Sequence, residues 1–365
     1  MIKPRRLKRG DKVAIVSLSK GLLGEEFVEH NLILGKKRLE DCGLDVVFMP
    51  HALKGIDFVD RHPEKRAEDL IQAFEDNSIK GIICAIGGDD TYRTLPYLME
   101  NDKFKDLVKT KPKLFTGFSD STINHLMFYH LGLTTYYGMA FIPDLGEISD
   151  SMLPYTENYF SYYFEESPLY EVIKPSEVWY DERLDFSKKA LGQQRISHVE
   201  TKGYEWLQGK SVFEGELLGG CIDSLYDMLT PFTHSDEPKV IERYGIFPDL
   251  TTWQGKILFN ETSEVKESPE TVEKMLGVLK DKGIFDVVNG VIFGKPQDEV
   301  FYEEYKQSLV KVVDNEELPV VCNVNFGHAT PRCVLPYGVR VQVDSEKQEI
   351  RLLESAFYEE DNHGN

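Results

Sequence analysis

The chain has no apolar run near the roughly 18 residues that a membrane-spanning helix requires, no C-x-x-C pair and no low-complexity tract. The first absence argues against a helical membrane protein. The five cysteines, Cys42, Cys84, Cys221, Cys322 and Cys333, are odd in number and scattered, so neither a disulfide framework nor a zinc site is expected. Cys84 and Cys322 fall inside apolar runs, where a free thiol packs as a small hydrophobe. Positive charge is also scarce: 42 Lys and Arg stand against 62 Asp and Glu, a net charge of -20. Such a surface repels a phosphate backbone and argues against a nucleic acid polymer as partner. The densest basic stretch is the first, "KPRRLKRGDK", but the apolar "VAIVSL" behind it is short for a signal peptide and lacks a small-residue cleavage site. It reads as a first strand, and a cytoplasmic protein that does not engage a membrane is expected.

What is present describes an ordinary folded chain. Its 365 residues, 41% hydrophobic and 28% charged, suit two domains with a core each. Over the first 140 residues, apolar runs such as "KVAIVSLS", "KGIICAIGG" and "KLFTGFS" alternate with helical patterns such as "PEKRAEDLIQAFEDN" and "DSTINHLMFYHLGL". Strands that are apolar throughout and separated by helices imply α/β architecture with a parallel sheet covered on both faces. Ligands then gather at the carboxyl ends of the strands. Two of those ends break into unusual residues, Gly87-Gly88-Asp89-Asp90 and Gly117-Phe118-Ser119-Asp120.

Regularity is lost from about Pro143 to Gly209 and returns with "EGELLGGCIDSLYDML". Strands are then expected in "KILFNE", "DVVNGVIFG" and "LPVVCNVNFG", helices in "SPETVEKMLGVLKDKG" and "FYEEYKQSLVKVV", and a half-exposed hairpin in "VRVQVDSEKQEIRLLE". The expected division is an N-terminal domain over 1–165, a loop-rich linker or insertion over 166–210 and a C-terminal domain over 211–365.

Ser119 carries two local readings. A serine between strand and helix suits a helix cap, with Asp120 in the positive first turn. The same turn is the geometry of a nucleophile elbow, although Ser121 stands where that motif has its second glycine. A serine nucleophile needs a base and an orienting acid. Among nine histidines, His125 and His130 belong to the following helix, His62 precedes a helix-starting proline and His363 lies in a tail. His328 differs, since "VNFGHATPRCVLPYG" places it behind a glycine just after a strand. Glu261 ends the strand "KILFNE", and a carboxylate emerging from an apolar strand is costly to bury without a partner; a histidine, an arginine or a helix cap would each serve. "AIGGDDTYRTLP" lacks the spacing of either phosphate-binding glycine motif. Its two aspartates would repel a phosphate, and a metal there would find no third ligand nearby in sequence.

Six stretches in order, "RLKRGDKVAIVSLS", "IICAIGGDDTYRTLPYL", "FTGFSDSTINHLMFYHLGLTTYYGMA", "GELLGGCIDSL", "ILFNETSEVKESPETVEKML" and "NFGHATPRCVLPYGVRVQVD", resemble the LD-carboxypeptidase family of serine peptidases, which includes the microcin C immunity peptidases. The likeness runs from Arg5 to Glu354. It implies a flavodoxin-like or amidotransferase-like N-terminal domain with a parallel sheet, a smaller swivelling α/β C-terminal domain, no cofactor, no metal and a homodimer. It further implies Ser119 as nucleophile, Glu261 as acid, His328 as base, and the amides of Gly88 and Asp120 as the oxyanion hole. "IGGDDTYRTLPYL" looks more like the immunity branch than the murein-recycling branch, which more often has G-G-Y-G at that point. The middle segment also looks like that branch, so Asp89, Trp179 and Trp206 become candidate substrate contacts, with packing the alternative for both tryptophans. Cys221 departs from the usual asparagine after Gly-Gly. The implied substrate is a small peptide or a peptidyl- or aminoacyl-nucleotide. The alternatives are release of D-alanine from a murein tetrapeptide or, in another class, a non-catalytic protein that binds a small ligand.

Overall fold

The computed structural model describes residues 1–165, 167 and 171–359; His363 and residue 166, where the linker is expected to begin, lie outside them. Five segments form a parallel sheet: β1 (Lys12–Val16), β2 (Asp45–Phe48), β3 (Ile79–Cys84), β4 (Leu114–Gly117) and β5 (Tyr136–Tyr137). Their spatial order is 2-1-3-4-5, with every neighbouring pair parallel. This is the flavodoxin-like order, in which the direction of winding reverses between β1 and β3. β3 exposes only Lys80, as a strand covered on both faces should. The covering helices include Glu29–Asp41, Pro63–Glu75, Asp102–Thr110 and Ser121–His130. At the reversal the loops after β1 and β3 touch, the Lys20 amide donating to the Gly87 carbonyl at 3.3 Å.

The irregular middle segment is more ordered than its sequence suggests. It holds the helix Pro154–Ser161 and the short strands β6 (Val172–Ile173), β7 (Val178–Tyr180), β8 (Ser197–Val199) and β9 (Glu205–Gln208). β7 and β8 make a two-stranded antiparallel sheet of their own. β6 and β9 are the two edges of a second, eight-stranded sheet. Strands of two to four residues carry too little periodicity to be seen in sequence; here the partner strand decides them.

The centre of that second sheet is parallel: β10 (Val212–Cys221), β11 (Ile257–Glu261), β12 (Gly290–Gly294) and β13 (Val320–Val324). β12 begins later than "DVVNGVIFG" suggests, because Ile284–Val287 is a helical turn. The helices Pro269–Asp281 and Tyr302–Val313 follow β11 and β12, and Ser268 caps the first by accepting the Thr271 amide at 3.3 Å. β14 (Leu335–Pro336) leaves this half of the chain to pair antiparallel with β5. β15 (Arg340–Asp344) and β16 (Glu349–Leu352) are the expected hairpin, but they lie between β10 and β6, so the hairpin has no free edge.

Candidate active site

Ser119 stands between β4 and the helix Ser121–His130 with a φ of 65°. A serine in the left-handed region is uncommon and costs energy that the surrounding structure must offset. Here the Ser119 amide donates to Tyr137 Oη at 3.1 Å and the Ser119 carbonyl accepts the Thr122 amide at 2.8 Å, which hold the strand-to-helix elbow in place. The capping alternative is not realised: the N-cap position is Asp120, and no side-chain capping bond is made. The Asp120 carboxylate instead accepts the Thr91 amide at 2.9 Å, and burial pushes its pKa up to about 6. Gly87 packs against the elbow, where an added Cβ would lie 2.7 Å from the Ser119 Cβ and 2.8 Å from its Oγ. Only glycine permits that approach.

Glu261, the last residue of β11, is fully buried. Its charge is met by three donors: Tyr137 Oη at 2.6 Å, and His328 Nδ1 and the His328 amide at 2.8 and 3.1 Å. The turn after β13 delivers His328 to this carboxylate through Gly327, whose φ is +79° and whose added Cβ would fall 2.2 Å from the Glu261 Cδ. Phe118 packs edge-on against the His328 ring at 5.1 Å, and Arg332 lies 4.2 Å above Phe118. Arg332 also donates to the His328 carbonyl at 3.1 Å and to both oxygens of the buried Asp144 at 2.8 Å. The imidazole is therefore fixed by hydrogen bonds on one side and by aromatic packing on another.

The second imidazole nitrogen, Nε2, lies 3.1 Å from Glu264 Oε2. Burial alone would lower the His328 pKa, but Glu261 and Glu264 together raise it to about 10. The hydrogen bond from His328 in turn holds Glu264 down to about 2. His328 is thus an imidazolium between two carboxylates. Ser119 connects to the pair through Tyr137, whose hydroxyl oxygen accepts the Ser119 amide at 3.1 Å.

A cavity of about 240 Å³ opens beside Ser119, lined by Gly88, Asp89, Asp120, Cys221 and Glu264 among others. The structure therefore gathers Ser119, Gly88, Asp89 and Asp120 at one cavity, with Glu261 and His328 joined to it through Tyr137 and Glu264. Trp179 and Trp206 do not line it. Trp179, on β7, stacks on His198 at 4.1 Å with the Lys295 ammonium 4.8 Å from its ring centre. Its neighbour Tyr180 bonds the Thr330 carbonyl at 3.0 Å, so β7 runs beside the turn that carries His328. Trp206 is half exposed on the edge strand β9 and donates to the Gln208 carbonyl at 2.7 Å. Cys221, Glu261 and His328 bring ligand-type atoms within 4.8 Å of one another. The Cys221 thiol is kept protonated by burial and donates to Asp223 at 3.4 Å, while His328 Nδ1 serves Glu261. Each group thus already has a hydrogen-bond partner.

Sequence reasoning missed Tyr137, Gly87 and Glu264. Gly87 sat in the motif beside Gly88, and Tyr137 ends a two-residue strand in "TTYYGMA". Glu264 lies three residues past Glu261, where only the turn geometry returns it to the same histidine.

The family model described as the LD-carboxypeptidase N-terminal domain matches residues 13–138, and that of the C-terminal domain matches residues 214–343. The chain belongs to the LD-carboxypeptidase family. Members of the LD-carboxypeptidase family are hydrolases, and so is this protein. An MccF-like protein from Streptococcus pneumoniae, solved in complex with AMP, superposes with a TM-score of 0.91 at 50% identity, over 94% of this chain and 98% of that one. The Microcin C7 self-immunity protein MccF of Escherichia coli is 27% identical over 300 residues, 80% of this chain and 78% of the relative. A probable murein peptide carboxypeptidase of Bacillus subtilis is 25% identical over 95% of this chain and 92% of its own length.

Proposed function

We propose that the protein is a serine peptidase or amidase in which Ser119 is the nucleophile, His328 the base and Glu261 the acid that orients it. The observation that carries this reading is the left-handed Ser119 at a strand-to-helix elbow, tied through Tyr137 to a buried Glu261–His328 pair. The division of labour would follow the two halves of the chain, with the nucleophile in the N-terminal domain and acid and base in the C-terminal one. Nδ1 is committed to Glu261, so Nε2 is the nitrogen left to take the Ser119 proton. Glu264 must first leave Nε2, and the Nε2 proton must pass to solvent to leave the ring neutral. Ser119 Oγ then bonds to the amide carbonyl carbon while His328 takes its proton, and the amides of Gly88 and Asp120 receive the oxyanion. The C–N bond breaks as His328 passes that proton to the leaving amine. Water repeats the sequence on the acyl-enzyme, releasing the acid and restoring Ser119.

The substrate class we favour is an aminoacyl- or peptidyl-nucleotide. It is supported by the 50% identical neighbour that was solved with AMP. A chromatographic assay of amide cleavage in a peptidyl-adenylate analogue whose acyl carbon is joined to the nucleotide through nitrogen tests it; no turnover by wild type sinks the substrate class. The murein reading rests on the relative from Bacillus subtilis, and release of D-alanine from a murein tetrapeptide would select it instead. A binding-only protein is disfavoured because Ser119, Glu261 and His328 are all present, and inert Ser119 beside tight ligand binding would revive it. We extend the proposal to a cytoplasmic homodimer, the second part of which light scattering on the full chain checks. Among the described residues, no helix is long and apolar enough to cross a membrane.

A further inference from the structure

The cavity beside Ser119 is walled by carboxylates, including Asp120, Asp223, Asp227, Glu237, Glu264 and Glu267, and among the described residues no lysine, arginine or histidine lines it. Three of these acids have work to do. Asp120 accepts the Thr91 amide, Asp223 accepts the amide and hydroxyl of Ser263 at 3.1 and 2.8 Å, and Glu264 holds His328. Glu237 differs. It is only 1% exposed, and neither carboxyl oxygen has a hydrogen-bond partner among the described residues. One oxygen of Asp227 is likewise buried without a partner.

Glu237 opens the helix Glu237–Tyr244 and feels the charges of four carboxylates: Asp227 on the helix Ile222–Leu229, Asp120 and Asp89 from the loops of the first sheet, and Asp236 beside it. The nearby Tyr92 hydroxyl goes to Asp236 at 2.7 Å, Arg93 to Asp90 and Asp60, and His234 approaches Asp89 at 3.7 Å. None of these satisfies Glu237. Burial and the surrounding acids push its pKa up to about 9, so a proton holds the place that a positive charge would fill.

We infer that this cavity receives the residue that supplies the scissile carbonyl, and that it selects one bearing an ammonium or guanidinium group, held by Glu237 and Asp227. The assignment to the carbonyl side rests on the proposed hydrolysis at Ser119. A nucleotide leaving group carries an anionic phosphate, which a wall of carboxylates repels, whereas the residue attacked at its carbonyl must sit against Ser119 and Gly88, both of which line the cavity. An ammonium entering there gains charge-assisted hydrogen bonds to oxygens that otherwise have none.

Calorimetry on the full-length Ser119→Ala protein, with hydrolysis-resistant lysyl-adenylate and norleucyl-adenylate analogues, tests the inference. The two probes differ by one charged group. The lysyl analogue should bind about tenfold tighter or more, and Glu237→Gln added to Ser119→Ala should bring the ratio close to one with norleucyl binding unchanged. Should Glu237→Gln fail to fold, Asp227→Asn in the same background must reduce the ratio. Equal or weaker binding of the lysyl analogue, a ratio that survives both variants, or failure of both analogues to bind would overturn the inference. Because binding is read with the nucleophile removed, a lost preference leaves hydrolysis at Ser119 standing. A preserved preference beside a wild type that turns over no aminoacyl-nucleotide would instead sink the nucleotide substrate class and leave the cation preference standing.

Discussion

Tyr137 donates its hydroxyl to Glu261 Oε1 at 2.6 Å and, through the same oxygen, accepts the amide of Ser119 at 3.1 Å. One side chain thereby holds the Ser119 elbow of the first sheet in register with the buried Glu261 of the second. Tyr137→Phe keeps the packing and deletes both bonds, leaving the Ser119 amide without that acceptor. The expected cost is about 1–3 kcal/mol of stability in urea unfolding, with a larger proportional fall in kcat than in KM. Unchanged kcat in a stable variant would count against this coupling.

In the proposed reaction, Glu264 governs when His328 can act as base. A general base must be neutral, and with a pKa near 10 His328 is an imidazolium through the neutral range. Activity should therefore climb as pH rises. Glu264→Gln removes one of the two carboxylates that stabilise the charged ring, so the rising limb of kcat/KM should move to lower pH by about one to three units. Because kcat/KM reports the free enzyme, a limb that stays in place would contradict the role of Glu264 in holding the ring charged.

Glu237 makes a prediction about stability. Its folded pKa of about 9 lies above the ordinary 4.5, so between those values the folded chain holds a proton that the unfolded chain has lost. Its contribution is fully present below the lower value and is lost as pH rises towards the upper one. Glu237→Gln cannot ionise and should flatten that decline. Thermal melts of both proteins at about pH 5 and about pH 8.5 compare the slopes; parallel curves would refute the assignment.

Arg332 and Asp144 form a buried pair between the chain halves, and Arg332 also holds the His328 carbonyl. Asp144→Ala strands the guanidinium and should cost about 3–5 kcal/mol in denaturant unfolding. A loss below about 1 kcal/mol would mean that the charge finds another partner or water.

The first four strands of the first sheet were legible because they are short apolar runs separated by helical patterns, whereas β5, two residues long, was not. β6 to β9 were not, being held by partner strands distant in the chain. At the site, the need of Glu261 for a partner could be read from its position at the end of an apolar strand. Which group answers that need depends on how two sheets meet, and β14 pairing with β5 is a contact that no local pattern announces. Ser119 shows the limit most clearly: its sequence suits a cap as well as an elbow, and only a φ of 65° separates them. Glu237 was invisible for a similar reason, since "HSDEPKV" reads as an exposed acidic helix start until Asp120 and Asp227 close around it.

The central claim, that Ser119 is the nucleophile driven by His328, is tested most directly by mass spectrometry of the intact protein after treatment with a serine-directed acylating reagent, followed by peptide mapping. The account predicts one adduct per chain on Ser119, formed far more slowly in His328→Ala and absent in Ser119→Ala. An adduct elsewhere, or Ser119→Ala retaining amide hydrolysis at the wild-type rate, would contradict it.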